Sequence, residues 1–177
     1  MPDHENTDGI QGKPVGARQP DPMDRKILGA LARDASQSFA TLGAIVGLSA
    51  PAVHERVKRL RATGVIRRTV AQLDGRAVGK PLLAFVHVEA AGWGKTEGLI
   101  SLSGLPEVEE IHSVTGDTGL VLKVRVASPE AMEGFLWRLY DIKGVRSTRT
   151  YVALSTHLER SVQAGITEDL SAGQNLK

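Results

Sequence analysis

Apolar positions along this chain change period once, and the change divides it. In the first part they recur at helical spacing: Ile27, Leu28 and Leu31, then Leu42, Ile45 and Val46, then Val53, Val57 and Leu60. Three short helices follow from that pattern. Asp24 suits an N-cap or first turn, the second helix spans about Ala40 to Val46, and Gly47 supplies a tight turn before the third. Ser49 is a natural N-cap for the third helix, and Pro51 fits its first turn, where no backbone donor is needed. Two helices joined by a glycine turn after a first make a helix-turn-helix. Gly64 closes the third helix, and Val65 to Ala71 reads as a short β segment, a wing with Arg67 and Arg68 at its edge.

From Leu82 the period falls to two. Leu83, Phe85 and His87 take one face of a strand, and Leu82, Ala84, Val86 and Val88 the other. Thr96 to Leu102 reads as a helix, Glu107 to Thr115 as a strand, Gly116 to Gly119 as a turn, and Leu120 to Val126 as the returning strand. Ser128-Pro129-Glu130 is a compact helix start, followed by a stripe of Met132, Phe135, Leu136 and Leu139 that reads as core. Gly144 ends this helix, and Val145 to Leu154 is the last strand. The order β-α-β-β-α-β is ferredoxin-like, with both crossovers on one sheet face. The other face carries apolar residues too, and self-association is the simplest cover for it.

The predicted class is therefore α+β: a winged helix-turn-helix over residues 23–74, a linker over 75–80 and a ferredoxin-like domain over 81–155. Residues 1–22, with four prolines and three glycines, are expected to be a disordered tail. Residues 156–177 form a second tail, with Leu158, Val162 and Ile166 at weakly helical spacing.

Charge sharpens this division. The whole chain carries only +2, but residues 23–74 hold nine bases against Asp24, Asp34, Glu55 and Asp74, a local +5. The positive field belongs to the helical part, as a polyanion-binding segment requires. With no cysteine there is neither a disulfide nor a thiolate ligand, and His87 and His112 make no metal set, so no metal or cofactor is expected. Nothing resembles an export signal or a membrane span, which points to the cytoplasm. No P-loop, nucleophile elbow or dinucleotide fingerprint is present, and no enzyme activity is expected.

On the third helix, Ser49, Pro51, Ala52, Glu55 and Lys58 are placed to face base edges or the groove wall of double-stranded DNA. His54, Arg56, Arg59, Arg67 and Arg68 are placed to meet phosphates. Plainer readings stand beside these: Glu55 pairs with Arg59 one turn on, the arginines are solubility charges, and Asp117 and Thr118 are turn formers.

These residues resemble a known group, the Lrp/AsnC (leucine-responsive and asparagine-regulator, or feast/famine) transcription factors. The landmarks are Met23-Asp24-Arg25-Lys26-Ile27-Leu28, Val46-Gly47-Leu48-Ser49, Ala52-Val53, Arg56-Val57-Lys58-Arg59-Leu60 and Gly64-Val65-Ile66. In the second domain they are Ala84-Phe85-Val86, Leu105-Pro106-Glu107-Val108, Val114-Thr115-Gly116 and Gly144-Val145. The resemblance implies a transcriptional regulator whose second domains pair through their sheets into homodimers and then larger homo-oligomers. It also implies a small-molecule effector, an amino acid or related metabolite, at Thr115, Gly116, Asp117, Thr118 and Gly119, with Tyr151 and Val152 as neighbours. Many members of the group carry Tyr-Asp where this chain has Thr118-Gly119, which leaves Asp117 as the carboxylate of the turn. The same two-domain architecture resembles sirohaem decarboxylase subunits, to which His87, His112, Arg125 and Arg149 would contribute. A nucleoid-type DNA compactor is the third reading.

Overall fold

The computed structural model describes residues 19–90 and 102–165. The chain forms two compact units: one runs through Val70 and takes in residues from Arg160 onward, the other is Ala71–Glu159.

The first unit is built on three helices, α1 (Pro22–Arg33), α2 (Phe39–Val46) and α3 (Ala50–Ala62). Helix α1 starts earlier than the apolar pattern suggests. Asp21 is its N-cap, and Asp24 sits at the third helical position, each side chain accepting from the other's backbone N–H in a capping box. Helix α2 ends at Gly47, which adopts φ 74°. The N–H groups of Gly47 and Leu48 both donate to the Gly43 carbonyl, at 2.8 and 2.9 Å, and this closes the turn into α3. Ile27, Ala30, Leu42, Val46, Val53 and Val57 form the core, with Met23, Leu31, Phe39, Leu48 and Ile66 packed on its edge. Ile45 was expected inward but is 54% exposed, because a helix of eight residues shows the core only one narrow face.

The predicted wing is not a strand. After α3 the Ile66 N–H donates to the Leu60 carbonyl and Ile66 packs on the core, but residues 67–74 make no ladder and no described strand lies beside them. β propensity alone does not make a strand without a partner.

The second unit holds β1 (Leu82–Ala90), a single 3-10 turn at Leu102–Gly104, β2 (Val108–Ser113), β3 (Leu120–Val126), α4 (Pro129–Tyr140) and β4 (Val145–Val152). The four strands form one antiparallel sheet in the order β2-β3-β1-β4. The expected helix at Thr96 to Leu102 lies outside the described residues except for Leu102, which opens the 3-10 turn. Ser128 caps α4 as predicted, accepting from the Ala131 N–H at 3.2 Å. Met132, Phe135 and Leu139 of α4 pack against Ala84, Val86 and Val88 of β1 and Leu120, Leu122, Val124 and Val126 of β3. Strand β4 ends at Val152, short of Leu154, which is 95% exposed. No helix forms over the described part of the C-terminal tail, residues 155–165.

The other face of the sheet is less apolar than its end strands suggest. Phe85 is flanked by Lys123 on β3 and Tyr151 on β4, and His87 by Val121 and Arg149. Lys123 bonds Glu109 and Glu159, and Arg125 bonds the same two carboxylates. Burial opposes the charge on Lys123, but the two glutamates outweigh it and raise its pKa. The segment Ser155 to Glu159 thus lies over Leu83, Phe85 and Lys123, bounding a hollow of about 350 Å³.

Candidate DNA-reading and effector sites

Helix α3 begins where it does because Ser49 accepts from the Ala52 N–H at 3.4 Å and Pro51 occupies the first turn. Val53, Val57 and Leu60 are buried, which turns Pro51, Glu55 and Lys58 to solvent on the opposite face, with Ala52 half-buried beside them. His54 is exposed. Its ring meets Phe39 edge-on at 5.1 Å, and its Nδ1 lies 3.4 Å from the Glu55 carboxylate. Glu55 thus lies beside His54, while Arg59, its partner in the plainer reading, bonds Asp24. Arg67 and Arg68 are exposed on the unpaired stretch after α3.

Arg56 and Arg59 do not stand free for phosphate as the sequence suggested. Arg56 Nη1 donates to Asp21 at 2.7 Å and to Asp24 at 2.8 Å, and Arg59 Nη2 donates to both oxygens of Asp24 at 2.9 Å. Asp24 is buried, whereas the Arg59 side chain is 54% exposed. The Arg56 guanidinium holds the Asp21 carboxyl at a pKa of about 2, helped by the Asp24 backbone N–H. These same carboxylates raise the Arg56 pKa, Asp21 first. A helical wheel orders one helix and is blind to acids presented by another.

The second cluster borders the β2–β3 turn. Val114 donates to the Gly119 carbonyl at 3.1 Å, Gly116 takes φ 125°, and Thr115, Gly116, Asp117 and Gly119 are exposed. Thr118 is buried instead, and its hydroxyl bonds the Val88 carbonyl of β1. Asp117 pairs with Arg149 of β4 at 2.7 Å, and this guanidinium lowers the Asp117 pKa. Tyr151 stacks edge-on against His87 at 4.9 Å on the same sheet face as Arg149. Val152 does not join them, because its cross-strand partner is Ala84 and it points to the helix-covered face. Arg149 and His87 were not among the residues expected here. The signal lay in the register, which sets His87 opposite Arg149 and which no single strand reveals.

A helix-turn-helix with an exposed, cation-bearing second helix, on one chain with a four-stranded sheet of ferredoxin-like topology, defines a DNA-binding regulator with a separate sensing unit. Comparison with known proteins agrees for both units. Residues 21–61 match the AsnC-type helix-turn-helix domain and residues 83–163 the Lrp/AsnC ligand binding domain. The chain is 34% identical over 139 residues to the HTH-type transcriptional regulator FL11 of Pyrococcus horikoshii, covering 78% of this chain and 92% of that one. It is 36% identical over 137 residues to the transcriptional regulator LrpA of Mycobacterium tuberculosis, covering 77% and 91%. Among solved structures, a transcriptional regulator from Neisseria meningitidis in complex with L-Met superposes with a TM-score of 0.75 at 25% identity, covering 80% of this chain and 94% of that one. The chain belongs to the Lrp/AsnC family of DNA-binding transcriptional regulators.

Proposed function

We propose that this regulator reads operator DNA with α3 and responds to a small metabolite at the β2–β3 turn. The observation that carries the first half is the orientation of α3: burial of Val53, Val57 and Leu60 leaves Ser49, Pro51, Glu55 and Lys58 turned outward on a helix of groove width. Ala52 lines the same approach. His54, Arg67 and Arg68 are placed to supply phosphate contacts, whose strength falls steeply with salt. Residues 23–74 form the DNA-binding part, 75–80 the linker, 81–155 the effector and oligomerisation part, and 1–22 and 156–177 the tails.

The effector half rests on the grouping of Asp117, Arg149, His87 and Tyr151 around the turn. A carboxylate and a guanidinium in contact match the ammonium and carboxylate of an amino acid, the ligand class carried by the Neisseria meningitidis relative. Thr115, Gly116, Thr118 and Gly119 shape the turn. We read the protein as a cytoplasmic, non-enzymatic regulator that works as a homodimer or a higher homo-oligomer. Among the described residues no helix is long and apolar enough to cross a membrane. A two-fold dimer requires half-sites about 10 base pairs, or a multiple, apart.

The test is a band shift of the full chain on the region upstream of its own gene, against a scrambled duplex of equal length, across a salt series. Preference for the upstream region that weakens as salt rises supports the reading. Equal affinity for both duplexes at every salt concentration overturns sequence-specific control.

A further inference from the structure

Helix α3 presents two arginines three residues apart on one flank, and a single buried acid of α1 holds both. Asp24 Oδ1 accepts from Arg56 and Arg59, and its Oδ2 accepts from Arg59 and from the Asp21 N–H. With Asp21 added, two carboxylates face two guanidiniums, so the cluster is electrically neutral. The two arginines are held differently. The Arg56 side chain is 28% exposed, and one nitrogen bridges both acids, so it serves as a peg between α1 and α3. Arg59 is about twice as exposed, bonds Asp24 through Nη2 alone, and lines with Thr63 and Val65 a hollow of about 330 Å³.

We propose that Asp24 is a positioning residue for DNA recognition: it withdraws Arg56 from the DNA and fixes Arg59 with its free edge toward a backbone phosphate. This inference rests on α3 being the DNA-reading helix. An unanchored arginine is a mobile cation that reaches phosphates in many registers and so strengthens binding to any duplex. Anchored through one nitrogen, it meets a phosphate in one register of α3. Charge compensation by Asp21 and Asp24 also removes two cations from the general field. Asp24 thereby trades indiscriminate affinity for a fixed docking geometry.

The experiment is a salt titration of DNA binding by the full chain, using a duplex selected by the wild-type protein from a random pool and a scrambled duplex of equal length. In Asp24→Asn, the scrambled duplex is expected to bind more tightly, with a salt slope steeper by about one phosphate contact, roughly 0.9 log units per decade of salt. The ratio of selected to scrambled affinity should fall about tenfold. Asp21→Asn, which keeps an N-cap of equal quality, should shift both quantities in the same direction by less, and it supplies the answer if Asp24→Asn does not fold. Arg59→Gln should flatten the slope on the selected duplex by about the same amount. A purely structural Asp24 would lower affinity for both duplexes together with no change of slope, and that outcome overturns the inference. Lys58→Gln separates the two levels. If it flattens the slope while Arg59→Gln does not, the positioning role fails alone; if neither changes the slope, the reading of α3 fails with it.

Discussion

The hydroxyl of Thr118, at the turn between β2 and β3, donates to the carbonyl of Val88 on β1 at 3.1 Å, with the Leu120 carbonyl at 3.3 Å sharing the proton. A turn residue is thereby tied to β1, one of the two inner strands of the sheet. Thr118→Val keeps the shape and removes the donor. It should cost about 1 kcal/mol in urea unfolding, the usual net worth of a buried neutral hydrogen bond. A change within experimental error would mean that the turn is held by its backbone alone.

Two glycines on helices should respond to alanine with opposite signs. Alanine is favoured over glycine inside a helix by about 0.8 to 1.0 kcal/mol. At Gly29 of α1 a Cβ meets nothing, so Gly29→Ala should stabilise by up to about that amount. At Gly43 of α2 a Cβ would collide with the Leu48 carbonyl oxygen, in the turn that aims α3. Overpacking of about 1 to 3 kcal/mol then outweighs the propensity gain, and Gly43→Ala should lower the midpoint of thermal unfolding. A stabilised Gly43→Ala would show that the turn relaxes freely.

Acid should weaken the contact between α1 and α3 in a defined window. Asp21 has its carboxyl at about 2 in the folded chain, below the ordinary 3.8, because Arg56 bonds the charged form. A depressed carboxylate stabilises fully above its unfolded pKa and loses that contribution as pH falls through the folded one. The difference in unfolding midpoint between the wild type and Asp21→Asn should therefore be constant above about pH 5 and shrink from about pH 4 toward pH 2. A difference independent of pH down to 2 would show that the charge of Asp21 does not contribute to the contact.

The pair of Asp117 with Arg149 is exposed on both sides, so solvent screens it and it contributes little to stability. Asp117→Asn and Arg149→Gln should leave the melting temperature of the unliganded protein unchanged. A thermal-shift screen of the proteinogenic amino acids should find a ligand that raises the wild-type melting temperature, and both variants should lose that shift. Full retention of the shift in both would move the effector elsewhere.

Local signals in the sequence determined most of the frame. Helix α3, its Ser49 cap, the Gly47 turn, strand β3 and the Ser128-capped helix α4 all follow from caps and periods that depend on residues within a few positions of each other. The order of elements then left few topologies, and the ferredoxin-like one is what the sheet adopts. What only the tertiary structure decided were partnerships across elements. Val65 to Ala71 had strand composition but found no strand beside it among the described residues. Arg56 and Arg59 read as free cations, but α1 brings Asp21 and Asp24 against them. Arg149 and His87 joined the turn only through the register of β1 with β4. The physical reason is the same in each case. Caps and periodicity are interactions within one element, written in consecutive residues, whereas pairing of charges and strands depends on which distant surface the fold brings within about 3 Å.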